Sequence, residues 1–288
     1  MSHPTAIVAP WKRTFQEHLE KAGGPGTEFT LATVSASGLP RVRTCIFRGF
    51  WATLPENELN KIPKNPPIYE SDCPTFTTDA RMNKVYEIFA TGESKGDLEQ
   101  SRSGSGGGGP VEALYWIKGC KTQWRIKGKC WLMAADDIEE GEEAKNPGAF
   151  TVKAEVSRYM RMRDGSHQAV SDEGWSWRLE VENSFENCSP LMRGTFKNPP
   201  PGRPLSEGWD ESAGEALGQK AGHLTDEPLA RKNFRVCIIT PEQVEAVDLS
   251  NPEHCTRRVW ALAEEVKGHR GSEPSASARA WSVIETWP

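Results

Sequence analysis

Arg41, Arg43 and Arg48 break into an otherwise apolar, β-rich run, PRVRTCIFRGF. An unpaired buried guanidinium is very costly, so this strand either lies at an edge with solvated arginines or meets an anion. The planar guanidinium fork suits bidentate contact with phosphate oxygens, which makes Arg43-Thr44 through Arg48 a candidate phosphate strand. Two other segments carry similar hardware. Thr77-Thr78-Asp79-Ala80-Arg81, followed by Lys84, sits where a strand gives way to a helix. A helix N-terminus with hydroxyls and cations nearby attracts phosphate. Gln123-Trp124-Arg125 lies on another strand, and the Gln123 amide offers a donor and an acceptor to the edge of a heterocycle. Arg43 and Arg48 differ in parity, so a regular strand would point them to opposite faces. Both meet one ligand only through a bulge, a strand end or a second subunit.

Short elements must position these groups. Glu28 to Phe50 reads as two strands joined by the turn Ser35–Pro40. Before them, Trp11, Phe15, Leu19 and Ala22 recur at helical spacing, and Gly23-Gly24 stops that helix. Ala52 to Pro74, rich in Pro, Asn and Lys, reads as a long surface insertion. Thr75–Asp79 is a short strand. Ala80–Thr91 follows as a helix with Asp79 as N-cap and Met82, Val85, Ile88 and Phe89 on its buried side. Glu112–Met133 carries the strongest β signal, two strands around Gly119–Thr122. The second strand alternates Trp124 and Ile126 with Gln123, Arg125 and Lys127. Residues 150–196 read as partly helical, packing through Trp175, Trp177, Leu179, Phe185 and Leu191. The tail returns to strands at 233–239, 244–249, 257–263 and 280–286, several of which pair only with strands of the first half. The expectation is an α+β protein, mainly β with helices at the rim, in a single domain over residues 1–288. Flexible loops are expected at 52–74, 92–110 and 203–228.

Composition narrows the chemistry further. The 288 residues carry a net charge of −5, so there is no overall basic footprint for nucleic acid. Eleven tryptophans require real burial, while 26 glycines and 21 prolines indicate long loops. No apolar run is long enough to span a membrane, and the opening MSHPTAIVAPWKRTF lacks the basic start and apolar core of a secretory signal. Seven scattered cysteines without a C-x-x-C suit reduced thiols better than a disulfide framework or a zinc site. A cytoplasmic protein is the expectation. Gly104, Gly106 and Gly109 match G-x-G-x-x-G only formally, because no apolar strand precedes them and no amphipathic helix follows. There is no G-x-S-x-G elbow, no P-loop and no metal-ligand spacing.

In order and spacing, RTCIFRGF (43–50), TTDARMNK (77–84) and KTQWRIKG (121–128) after ALYW resemble the pyridoxamine 5'-phosphate oxidase-like FMN-binding split-barrel family. The closer likeness is to the branch with an R-T-x-x-F-R-G-F strand, not to the oxidase proper, and RGTF with PPPGRPL (193–205) and the final ETWP add to it. The resemblance implies a split β-barrel that binds FMN at the interface of a homodimer. By the same likeness, Arg43, Thr44, Arg81 and Lys84 would serve the phosphate and ribityl chain. Arg48, Thr77, Thr78, Gln123 and Arg125 would lie close to the flavin or its phosphate. Two departures stand out. Met82 occupies a position where the family often has a phosphate-bonding Ser, and the segment Trp281–Pro288 lacks the Arg with which the oxidase proper recognises its substrate's phosphate. The resemblance therefore points to a flavoprotein oxidoreductase of unknown substrate rather than to vitamin B6 oxidation. A flavin carrier or sensor, and a split barrel that has lost flavin and serves as an interaction module, are the alternatives.

Overall fold

The computed structural model describes residues 8–92, 104–138, 146–163, 174–263 and 280–288. Helix α1 (Lys12–Lys21) buries Phe15 and Leu19 against the barrel and is followed by the hairpin β1 (Glu28–Val34) and β2 (Pro40–Ile46). The expected continuous strand to Phe50 is broken at Phe47-Arg48, and β3 (Gly49–Phe50) resumes on a different partner, β5 (Pro74–Asp79). Between them runs β4 (Tyr69–Ser71), which pairs with β8 (Met160–Met162). Helix α2 (Asn83–Thr91) leads to the long hairpin β6 (Gly106–Ile117) and β7 (Thr122–Met133). Four helices, α3 (Pro147–Ser157), α4 (Trp177–Glu186), α5 (Pro190–Gly194) and α6 (Pro228–Asn233), precede β9 (Phe234–Asp248), β10 (Thr256–Leu262) and β11 (Trp281–Thr286).

All strand pairs are antiparallel, in the order β11-β10-β9-β7-β6-β1-β2. The first half of β9 also pairs with β5, so the chain running from β2 through β3 and β5 back to β9 closes a barrel. The second half of β9 pairs with β10 instead, which splits the sheet at its far end. What reads as two tail strands is therefore one strand, bent at a register shift opposite Lys127/Gly128.

Two cores result. Trp11, Phe15, Leu31, Phe76, Tyr115 and Trp124 fill the barrel, and Val85, Ile88 and Phe89 of α2 stop its mouth. Trp131, Met133, Phe234 and Val236 face the other way and pack on α3 and α4 through Val152 and Phe185. Both faces of the second half of β7 are thus buried, which explains its change from alternating to continuous apolar sequence.

The glycine run behaves differently from a loop. Residues 93–103 of the expected 92–110 loop lie outside the described residues, but Gly106–Pro110 belong to β6. A Cβ on Gly108, whose φ is +83°, would sit 2.6 Å from the Trp131 ring, and one on Gly109 would sit 2.3 Å from the Ile88 carbonyl. Glycine here lets a bulged strand pass directly beneath α2.

Residues 52–74 are pinned rather than loosely exposed. Asn57, Asn60 and Asn65 hydrogen-bond across to Asn187, Asn183 and Glu180 at α4. Asp72 and Glu70 hold the buried Arg161 guanidinium at 2.8 and 2.6 Å, and Lys12 joins them through the Ser71 carbonyl. This cluster ties α1 to β4 and β8. In the 203–228 segment, short 3-10 turns replace a continuous loop, and Leu191, expected to pack, is exposed.

Candidate functional site

Helix α2 starts three residues later than its sequence suggests, and Asp79 does not cap it. Arg81, two residues on, takes both Asp79 oxygens (2.9 and 2.6 Å) and its backbone N–H takes one as well. Arg81 also donates to the Asn198 carbonyl at 2.9 Å. The residue at the N-cap is Met82, exposed and without a side-chain cap. The first N–H groups of α2 consequently point to the mouth of the barrel without a side-chain acceptor, a local environment that favours an anion.

Lys84, in the first turn, reaches the Thr78 hydroxyl at 3.0 Å. Among the described residues it makes no ion pair with a carboxylate. Arg43, across the mouth on β2, is held differently: it contacts Glu87 of α2 at 2.6 Å and the Thr33 hydroxyl at 2.5 Å. Glu87 is buried and accepts from Thr33 as well, at 2.5 Å, so Arg43 and Glu87 neutralise each other. Arg41, two residues away on the same face of β2, lines the same groove of about 320 Å³ with Arg43, Asn83 and Lys84. Arg41 and Asn83 were not among the candidate residues; the i, i+2 spacing of Arg41 and Arg43 was the available signal.

A second cavity of about 420 Å³ adjoins this groove through Met82 and Lys84. Thr77, Thr78 and Asp79 form one wall, and residues 192–217 form the other, with Met192, Phe196, the prolines 199–201 and Trp209. Thr77, part of this wall, and Arg48 lie beside Cys188; burial raises the Cys188 pKa, while the Arg48 charge and the Thr77 hydroxyl oppose the rise. The Arg48 Nε is buried without a hydrogen-bond partner. Among thiols inside the barrel, burial pushes Cys45 up to about 11, with the nearby Lys84 charge pulling the other way.

The sheet register separates the remaining candidates from this site. Arg43, Leu31, Ala113 and Ile126 are successive cross-strand partners and face the interior. Thr44, Thr30, Leu114 and Arg125 form the adjacent row and face outward. Arg125 lies there in an ion-pair network with Glu112 (2.5 Å) and Glu245 (3.4 Å), extended by Arg257 to Glu245 (2.6 Å). Its hydrogen bond to Glu112 raises its pKa above the ordinary guanidinium value. Gln123 shares the outward face with Trp116 and Val247. The nine candidates therefore fall into three places: Arg43, Thr78, Arg81 and Lys84 around the barrel mouth, Thr77 and Arg48 beside Cys188, and Thr44, Gln123 and Arg125 on the outer sheet face.

The residues at the mouth fit a phosphate group. Arg43 and Arg81 are already balanced by Glu87 and Asp79, while Lys84, Arg41 and the uncapped start of α2 leave positive potential facing the groove. Among the described residues no cluster of His, Cys, Asp and Glu is arranged to hold a metal ion, and no helix is long and apolar enough to cross a membrane.

Known proteins resemble this chain in one stretch of sequence and in fold. Residues 8–134 match the family described as pyridoxamine 5'-phosphate oxidase, FMN-binding domain. An uncharacterized protein of Saccharomyces cerevisiae is 28% identical over 136 residues, which make up 46% of this chain and 39% of the yeast protein. In three dimensions, a pyridoxamine 5'-phosphate oxidase-related, FMN binding protein of Nostoc punctiforme aligns with a TM-score of 0.54 at 18% identity, over 98% of this chain and all of that one. The match shows a shared fold. Residues 8–134 thus resemble a pyridoxamine 5'-phosphate oxidase, FMN-binding domain, within a split barrel that β9 closes.

Proposed function

We propose that this protein binds FMN at the barrel mouth and uses it for two-electron redox on a small molecule, as a homodimer. The observation that carries the reading is Lys84: a cation without a carboxylate partner among the described residues, seated on Thr78 in the first turn of an uncapped helix. Bound there, FMN would supply the two-electron chemistry. The chain's own part is positional. Lys84, Arg41 and the α2 amides hold the phosphate, Thr78 fixes the Lys84 ammonium, and the Arg43–Glu87 pair sets the distance between β2 and α2. The outward position of Gln123 and Arg125 supports the dimer, since those side chains reach a flavin at another barrel's mouth more directly than one at their own.

Lys84→Met tests the site. Losing one charge-assisted phosphate contact is worth about 1.5–3 kcal/mol, or roughly 10- to 150-fold in FMN affinity. Affinity is read from the visible absorbance retained after FMN addition and desalting, and by titration. Unchanged affinity in the folded variant would refute the assignment. A flavin carrier is the second reading, favoured by one observation: Asp79, a carboxylate lining the 420 Å³ cavity, has both oxygens held by Arg81. Substrate-dependent bleaching of the bound flavin separates the two.

A further inference from the structure

The 420 Å³ cavity next to the proposed phosphate groove has walls of two origins. One belongs to the family-matched region; the other, residues 192–217, lies wholly beyond residue 134. The second wall is apolar where it faces the space, through Met192, Phe196, Pro200, Trp209 and Leu217. Its cations are all tied down. Arg203 pairs with Glu215 at 3.1 Å, Lys197 with Glu227 at 2.8 Å and Arg193 with Glu186 at 2.5 Å. Arg81, between the two walls, is held by Asp79 at 2.6 Å and approaches Glu215 at 3.9 Å. An anionic ligand in this cavity would have to displace one of those carboxylates or compete for Lys84.

From this charge pattern we infer that the cavity is a substrate pocket for an uncharged aromatic molecule, and that residues 192–217 set this specificity. The inference rests on the reading that Lys84 serves the flavin phosphate. With Lys84 committed, no cation among the described lining residues is left for a phosphate or carboxylate on the substrate. Phe196, the prolines and Trp209 offer flat apolar faces, against which a ring gains both burial and face or edge contact. The volume lies within the range of small-molecule sites, roughly 300–1,000 Å³, and accommodates a two-ring compound. Trp209 and Leu217 are 47% and 62% exposed, and a bound ring would cover part of that apolar surface.

The test is calorimetric titration of the purified protein, after FMN addition and desalting, with 2-naphthol and with 2-naphthyl phosphate. The expected result is that 2-naphthol binds at least about tenfold more tightly than its phosphate ester. Trp209→Ala and, separately, Leu217→Asp should each weaken 2-naphthol binding several-fold and leave FMN content unchanged. Equal or tighter binding of the ester overturns the inference, as does 2-naphthol binding indifferent to both substitutions. Loss of 2-naphthol binding as FMN is added overturns it too, because the cavity would then be the seat of the flavin ring. The flavin reading fails separately, through absence of retained absorbance, and in that case the preference between the two probes is still measured.

Discussion

Glu180 should make this protein less stable as the pH rises from about 5 towards neutrality. It sits in the first turn of α4, 3% exposed, with one oxygen accepting from Asn65 at 2.8 Å and the other without a hydrogen-bond partner. Burial raises its pKa from 4.5 to about 7, against smaller opposing contributions from Asn65 and the Ala52 backbone. Because the native state holds this proton more tightly than the unfolded chain, unfolding between those two values releases it. The unfolded state therefore gains on the native one as pH increases, and the full penalty is in place above about pH 7. The interval between 4.5 and about 7 corresponds to about 3 kcal/mol, of which roughly 2.5 kcal/mol should appear between pH 5 and pH 8. Glu180→Gln keeps an acceptor for Asn65 and cannot ionise. Urea denaturation of both proteins at pH 5, 6, 7 and 8 isolates the effect as a difference of slopes, so any constant offset from the substitution drops out. The variant should gain on the parent between pH 5 and pH 7 and level off towards pH 8. Parallel stability curves would refute the reasoning and place the Glu180 carboxyl in a far more polar site than its burial indicates.

Two further perturbations act on buried charge. Arg161→Met removes the cation that Asp72 and Glu70 share and leaves them only Lys12, so a loss of about 3–5 kcal/mol is expected in chemical denaturation, and a loss below about 1 kcal/mol would show the cluster to be well hydrated. Arg43→Ala leaves Glu87 buried and unpaired and should cost about 3 kcal/mol, most of it recovered by adding Glu87→Gln, whereas Lys84→Met should stay within about 0.5 kcal/mol of the parent in thermal melts. Equal melting temperatures for Arg43→Ala and Lys84→Met would contradict the distinction drawn between a paired and an unpaired cation.

That distinction marks the limit of what the sequence reveals. The hairpins β1–β2 and β6–β7 are readable because alternation and turn residues act locally, and α1 because its apolar stripe ends at two glycines. The partner of Arg43 is not readable: Glu87 lies 44 residues on, on a helix face known only after α2 is docked. Asp79 looks like a cap by type and position, yet Arg81 removes its carboxylate from the helix. Gly106–Gly109 carry no side-chain pattern at all, and their strand conformation is imposed by α2 lying on them. The opposite parity of Arg43 and Arg48 is legible in the sequence, and the break at Phe47-Arg48 is how the chain resolves it.

Parity also bears on Thr44, Gln123 and Arg125. The interior row beneath them contains Ala113 and Ile126, both fully buried, so a ligand at Lys84 meets packed side chains before it reaches the outward row of the same barrel. If those outward residues contact the flavin proposed at the mouth, they do so across a subunit interface, and each site is then built from two chains. Co-expressing Lys84→Met with Arg125→Ala distinguishes the cases. Each variant alone lacks one half of every site. Random pairing makes half of the dimers mixed, and each mixed dimer restores one of its two sites, so FMN content should recover to about a quarter of the parent level. If all flavin contacts lie within one chain, mixing restores nothing beyond the average of the two variants. An Arg125→Ala protein with full FMN content would remove Arg125 from the site altogether and leave its ion-pair network with Glu112 and Glu245 as a purely structural feature of the outer sheet.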